Sequence, residues 1–495
     1  MSALNQQREE LYKSNYSQKS VIVVGAGPLG ILSVRYLSQE ADLNTICFEA
    51  KNNLGGMWYL DKYDQLDQNV DTSKNAFIRD NGYVQSSLYE NLRLNSVKMK
   101  TMYKGYPIPR EFHEYMKQDE FLQYMRRFSD NYSLKNFISF DTYVNYVRLV
   151  ENMTQSEKEQ IPLNLTKKFL VEVVSYSNYE KDIRHFQADY VVCCSGHYSK
   201  PNIIKIHNQQ MFEGQIDHTH HFRERDTQKL ANKNLVIIGQ NTSCQDIFSL
   251  LLFESEITPI KITVIGRNSV EHLKNATSLQ EVIKKGLIEF VQDECQEFNS
   301  KNSLLLKSGK IIENIDFILL ATGYQYCFHY LNKFNHIDNC IEYYENCRSI
   351  GPLYNKIISI NQPNLIFLGS INGSSQQHYE RQAIYSTHYI LGKLILPTRE
   401  GMMKEFEDEL KTNGGKKGYL GILKLPKFTS NHDQYVKKLH KDMKDIEFDN
   451  ELQQTWLLYA KLYEKHSNNG NYYEMKLEDL SQMPTRDYVP KLGLF

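Results

Sequence analysis

The sequence predicts an α/β protein with two dinucleotide-binding, Rossmann-like domains in one chain, the second inserted into the first. Three observations carry this. A βαβ unit runs from Ser20 to Ala50, a second copy of the same pattern runs from Leu235 to Arg267, and two strands ending in glycine, at Ser195-Gly196 and Thr322-Gly323, bracket the second copy.

In the first unit, Ser20 to Gly25 (SVIVVG) is a β-branched run closed by glycine, Leu29 to Glu40 has helical spacing, and Asn44 to Ala50 (NTICFEA) returns to strand character. The second unit repeats the pattern with Leu235 to Gly239 (LVIIG), a Leu-rich helix from Ser243 to Glu254, and Lys261 to Arg267 (KITVIGR). Lys168 to Ser175 and Gln187 to Ser195 are expected as strands of a meander, and Asp316 to Ala321 as the strand feeding Thr322-Gly323. The expected plan is a polar N-terminal tail (1–19), a discontinuous first domain (20–201 and 322–495) and an inserted domain (202–321). Past Glu400 the chain is polar and helix-like, with a Gly/Lys loop at Gly414 to Gly418 and no chemical motif.

The 495 residues are 41% hydrophobic and 24% charged, which excludes a disordered, collagenous or disulfide mini-protein class. Lys plus Arg (58) balances Asp plus Glu (59), so no global field draws in nucleic acid, and none is expected as partner. The eight cysteines form neither a CxxC pair nor a Cys/His metal spacing; no metal site is expected, and a reducing cytoplasm is the expected location. No window approaches the roughly 18 to 20 consecutive apolar residues of a spanning helix, so no membrane anchor is expected.

Gly25-Ala26-Gly27-Pro28-Leu29-Gly30 is a GxGxxG between strand and helix, followed by Glu49 at the tip of the next strand. Glycines permit a tight turn and close backbone approach to a pyrophosphate, the helix N-terminus favours phosphate, and the carboxylate can accept ribose hydroxyls. An acidic tip repels a 2′-phosphate, so FAD or NAD suits this unit. Gly55-Gly56-Met57-Trp58 reads either as a loop passing close to the cofactor or as a glycine turn before a core Trp. Asn95 alone reads as a turn residue. The second fingerprint, Gly239-Gln240-Asn241-Thr242-Ser243-Cys244, replaces the second glycine by Asn, a residue that tolerates positive φ. Arg267 stands where the first unit has Glu49 and would pair with a 2′-phosphate, which suits NADPH; an exposed loop arginine is the alternative.

Before the second fingerprint, Phe212-Glu213-Gly214-Gln215-Ile216-Asp217-His218-Thr219-His220-His221-Phe222 fills every fixed position of FxGxxxHxxxF, the signature of class B flavin-dependent monooxygenases. The chain resembles the N- and S-oxygenating flavin-containing monooxygenases from about Ser20 to Met403. The motifs that carry the likeness are GAGPLG, GGMW, Tyr89 to Ser96 (YENLRLNS), Gly196 to Pro201, Ala321 to Tyr324 (ATGY), and Glu380-Arg381-Gln382-Ala383 before Leu396-Pro397. The Baeyer–Villiger branch carries Trp where Phe222 stands.

The resemblance implies a cycle in which NADPH reduces FAD, O₂ adds to give a flavin C4a-hydroperoxide, and one oxygen atom passes to an amine nitrogen or thioether sulfur of a small molecule. It implies Asn95 as the catalytic residue beside the flavin edge and the nicotinamide. Cofactor contacts implied are Gly25, Ala26, Gly27, Pro28, Leu29, Gly30, Glu49, Gly56, Met57, Trp58, Leu94, Thr322, Gly323 and Gln382, with Gly239, Asn241, Thr242, Ser243 and Arg267 facing NADPH. His218 is expected to be structural. The departures are Leu94 for a frequent Thr, and Asn241 and Cys244 for small residues. The altered fingerprint at Asn241 keeps an H₂O₂-forming NADPH oxidase open; Baeyer–Villiger activity stays open because Phe222 marks a branch rather than reacting, and a non-catalytic flavin-binding protein using the Lys-rich C-terminal third as an interaction surface is a third alternative. Substrate specificity is expected from Gln65 to Tyr89 and Tyr326 to Tyr354, and a homodimer is the assembly suggested by analogy.

Overall fold

A computed structural model describes residues 3–443 except 61–85, 90–91, 97, 110, 178–179, 256–258, 332–339, 345, 372–375, 413 and 416–429. Glu90 and Asn91, residues 65–85, 332–339 and 345 of the expected substrate segments, and residues 416–418 of the Gly/Lys loop lie outside the described residues.

The first unit is built on a seven-stranded sheet. Its parallel core comprises Leu365–Phe367, β3 (Tyr190–Cys193), β1 (Lys19–Val24), β2 (Leu43–Phe48) and Ile138–Ser139, extended at one edge by the antiparallel pair Leu353–Tyr354 and Ile358–Ser359. Because side chains alternate across a strand, Val21 and Val23 enter one core with helix α2 (Pro28–Leu37), while Ile22 and Val24 enter a second core with the antiparallel strands of residues 143–188. Burial on both faces explains why this strand reads as an unbroken apolar run. On the α2 side also lies the short helix α3 (Lys98–Thr101).

The polar stretch before Ser20 is not a tail. Residues 3–14 form helix α1 (Ala3–Ser14), docked through paired polar groups that leave no hydrophobic signal. Glu9 accepts the Arg184 guanidinium through Nε (2.8 Å) and Nη2 (3.1 Å), and the Tyr12 hydroxyl donates to the Gln187 carbonyl (3.1 Å). The expected meander strand at Gln187–Ser195 is in fact two elements. The meander ends at Ala188, and Asp189, whose carboxylate accepts the Ser20 N–H at 2.8 Å, turns the chain into β3 of the parallel sheet.

The second unit is a five-stranded, all-parallel sheet in the order Ile288–Gln292, β6 (Lys261–Gly266), β5 (Asn234–Ile238), β7 (Phe317–Leu320), β4 (Gln215–His218). Helix α4 (Thr242–Ser249) follows β5 and closes in a π-helical turn at Leu250–Glu254, so the expected helix to Glu254 changes pitch in its last turn. The chain reaches this sheet through Lys200–Pro201 and leaves it through Tyr324–Gln325, and the two segments pair antiparallel.

Beyond it, α5 (Gln376–Ile390) packs on α2, and the polar C-terminal part supplies Arg399–Thr412 and α6 (Ser430–Asp442). A buried polar cluster pins α6: one Asp442 carboxylate oxygen accepts the Tyr354 hydroxyl (3.1 Å), the Tyr385 hydroxyl (2.8 Å) and the Asn355 amide (2.8 Å). Burial and the neighbouring Asp442 charge push the Tyr385 hydroxyl far above its ordinary pKa, so it remains a donor. Asp442→Ala removes the acceptor these three donors share and should cost about 3 kcal/mol, read as a lower denaturant midpoint with unchanged m-value.

Candidate functional site

Both parallel sheets aim a glycine turn and a helix N-terminus at one cleft of about 680 Å³, lined from both units. In the first cradle, a Cβ on Gly30 would lie 1.8 Å from the Gly25 carbonyl oxygen, so glycine there lets α2 sit directly on the turn. Gly27, which precedes Pro28 at the start of the helix, is different. A Cβ there meets nothing nearer than Gly56 Cα at 3.5 Å, and the space opens into the cleft. The protein itself tolerates a methyl group at Gly27; a ligand lying against the turn would not. Gly55 donates to the Ala26 carbonyl (2.9 Å), so the glycine pair before Met57 and Trp58 packs against the first turn.

Glu49, at the end of β2, is 2% exposed and lines the cleft. Its carboxylate accepts the Ala26 N–H (2.6 Å) and the Lys51 N–H (2.9 Å), and ionised carboxylates retain capacity for further donors. Ala26 is thus held behind the surface by Glu49. Lys51 was not singled out from the sequence: its buried ammonium donates to the Gly56 (3.2 Å) and Tyr59 (2.6 Å) carbonyls and fastens the Met57–Trp58 loop. Trp58 lines the cleft and stands edge-on to Phe121 at 5.0 Å. Leu94 is buried, its N–H donates to the Met116 carbonyl (2.9 Å), and the next residue, Asn95, is exposed on the cleft wall.

In the second cradle, Asn241 has φ −83°, ordinary extended backbone, so the Asn needs none of the positive-φ tolerance expected of it. The left-handed position is Gly239 (φ 114°), where a Cβ would lie 2.2 Å from the Ala321 carbonyl. Gly239 therefore lies behind the surface, as Gly30 does. Asn241, Thr242 and Ser243 line the cleft at the start of α4. Arg267 does not line it: one residue past β6, it is exposed. The Gln240 side chain fills the space over Gly266 and donates to the Ser269 carbonyl (2.9 Å), which fixes the loop that carries Arg267.

Gly25, Pro28, Leu29, Gly56, Met57 and Gly323 also line the cleft, whereas two further expected contacts, beside Ala26, Gly30, Gly239 and Arg267, do not. Thr322 donates to the Asn202 carbonyl (2.5 Å) and holds the paired crossing between the units. Gln382 is fully buried, accepts the Gly369 N–H (2.9 Å) and donates to Tyr435 (2.7 Å), and Gly369 in turn lines the cleft.

The fixed positions of the signature are packing positions. Phe212 stacks on Phe298 at 4.7 Å, Gly214 leaves no room for a Cβ beside the Asp316 carbonyl (2.6 Å), and Phe222 enters the core of the second unit. Burial, and the nearby His221, lower the His218 pKa to about 4, and its Nδ1 accepts the His220 N–H (2.9 Å), so His218 is a neutral structural residue. Arg223, directly after the signature, was missed. Its fully buried guanidinium donates to the His220 (3.0 Å), Phe222 (2.7 Å) and Ser86 (3.1 Å) carbonyls, and the Ser86 hydroxyl donates to Met57 (2.6 Å). The one available signal was its adjacency to the motif. Lys100 of α3 was missed too: it lines the cleft, and burial pulls its pKa down to about 8.

The family model described as flavin-binding monooxygenase-like matches residues 18–267 and 262–452. Senecionine N-oxygenase of Tyria jacobaeae is 26% identical over 437 residues, spanning 86% of this chain and 83% of that protein. The S-allyl-L-cysteine S-oxygenase of Allium sativum superposes with a TM-score of 0.70 at 20% identity, covering 94% of this chain and 97% of its own. Cyclohexanone monooxygenase from Rhodococcus sp. Phi1, solved bound to NADP+, superposes at 0.52 with 14% identity, covering 86% and 98%. The two glycines of the first cradle then separate fold from ligand. Gly27→Ala should fold normally but purify with roughly ten-fold lower flavin content by absorbance, whereas Gly30→Ala should fail in folding itself. The chain belongs to the flavin-binding monooxygenase-like family.

Proposed function

We propose that this protein is an NADPH-dependent FAD monooxygenase that transfers one atom of O₂ to a soft nucleophile, an amine nitrogen or thioether sulfur, of a small molecule. The observation that carries this reading is the single cleft shared by two helix N-termini, one with Glu49 at its strand tip and the other with Arg267 just beyond it. FAD suits the first cradle: Gly27 leaves the space a pyrophosphate needs, Glu49 keeps acceptor capacity for ribose hydroxyls, and Trp58 and Leu94 offer apolar walls for a ring. Bound flavin would supply the electron storage and O₂ activation that no side chain provides. NADPH suits the second: the first turn of α4 offers backbone N–H groups to its phosphates and Arg267 a guanidinium to the 2′-phosphate.

This chain's own residues orient, shield and polarise. Asn95, on the wall shared by both cradles, would offer its carboxamide to the reacting edge, and the apolar lining would exclude water from it. A soft nitrogen or sulfur nucleophile is favoured by the relatives, one an N-oxygenase and one an S-oxygenase.

Substrate should raise NADPH consumption, and product formed under ¹⁸O₂ should carry the label; oxygen drawn from water would overturn the reading. Arg267→Ala should raise KM for NADPH roughly ten- to hundred-fold and leave KM for NADH nearly unchanged, by steady-state kinetics. Asn95→Ala should retain flavin yet release H₂O₂ in place of product; an equally coupled variant would remove Asn95 from the chemistry.

A further inference from the structure

We propose that Tyr89 is a positioning residue for the reaction: through Asp246 it fixes helix α4 of the second cradle relative to the chain segment that carries Asn95. This rests on the NADPH-dependent oxygenase reading and adds the contact that sets the spacing of its two cradles.

Tyr89 precedes Asn95 in the first unit, yet its side chain serves the second. The buried ring lies in the second unit's core, edge-on to Phe222 at 6.3 Å, and Leu92 packs against the same core. The hydroxyl donates to Asp246 Oδ2 of α4 at 2.6 Å. A carboxylate acceptor makes such a bond shorter and stronger than one between neutral groups. Asp246 stands four positions after Thr242, so the two share one face of the helix, and both line the cleft. Tyr89 therefore grips α4 on the face that its first turn presents to the cleft.

On either side of Tyr89 the chain is held by the first unit. The Ser86 hydroxyl donates to the Met57 carbonyl (2.6 Å), the Gln118 N–H to the Leu92 carbonyl (2.9 Å) and the Leu94 N–H to the Met116 carbonyl (2.9 Å). Leu94 enters the first core directly before Asn95. A phenylalanine would fill the same space as the Tyr89 ring, so packing does not call for the hydroxyl; the hydroxyl adds a directional bond that fixes the register of segment and helix. What depends on that register is the spacing of two bound cofactors. Affinity is set inside each cradle, whereas transfer between them falls steeply with misplacement.

The test compares the flavin-loaded wild type with Tyr89→Phe, which keeps the ring, and Asp246→Asn, which keeps an acceptor. Flavin content and calorimetric NADP+ affinity should stay within about two-fold of wild type in both. In anaerobic stopped flow, flavin bleaching at saturating NADPH should be roughly ten-fold slower in Tyr89→Phe and close to wild type in Asp246→Asn. Asp246→Ala should also be slow, and adding Tyr89→Phe to it should slow it no further, because both changes delete one bond. Without nucleotide, hydrogen–deuterium exchange of the α4 amides should be several-fold faster in Tyr89→Phe, with β5 unchanged. Wild-type bleaching or unchanged α4 exchange in Tyr89→Phe overturns the proposal. So does slow bleaching accompanied by lost flavin or a lower melting temperature, which would make Tyr89 a packing residue. If NADPH bleaches the wild-type flavin but no product carries oxygen from ¹⁸O₂, the oxygenase reading alone fails, and the bleaching rates still decide the role of Tyr89. If NADPH leaves the wild-type flavin oxidised, both fall.

Discussion

A backbone carbonyl approached more closely than any side chain permits underlies both nucleotide cradles. In the first, α2 rests on the Gly25 carbonyl because Gly30 has no Cβ; in the second, the turn rests on the Ala321 carbonyl because Gly239 has none. These contacts bring each helix to its sheet at the angle that points its unpaired N–H groups into the shared cleft. The parallel strands behind them are buried on both faces, so the turns sit at the rim of rigid sheets. The same construction leaves Gly27 lining the cleft, with nothing nearer to a Cβ there than Gly56 Cα at 3.5 Å.

The strands and turns of both cradles were legible because backbone geometry demands particular residues there. Apolar runs ending in glycine have few alternative readings, and the observed strand ends fall within a residue or two of the expected ones. What escaped was polar and long-range. Helix α1 docks through Glu9 and Tyr12 to partners over a hundred residues away, which no local pattern encodes. The break at Asp189 was hidden because the residues on both sides alternate as one strand would. Thr322 and Gln382 belong to motifs beside the cleft, yet their side chains turn into the protein, because motif membership does not encode direction.

The signature motif illustrates the difference between a marker and a mechanism. Its phenylalanines and glycine seat β4 against β7 and the second core, and its histidine is neutral and buried. The residue with mechanical reach is its neighbour. Arg223 gathers carbonyls from the end of the signature and from Ser86, and Ser86 in turn holds Met57. The two cradles are therefore tied at the Met57 loop, as well as through the paired chain crossings.

The α6 cluster extends that logic to the far end of the described chain. Tyr435 of α6 accepts from Gln382, Gln382 holds the Gly369 N–H, and Gly369 forms cleft wall against Leu29. A helix none of whose described residues lines the cleft thus buttresses the floor under the first cradle. Pigment loss among random variants should accordingly trace to this remote brace as readily as to the glycine turns, and truncated forms ending ahead of it are poor starting points for engineering.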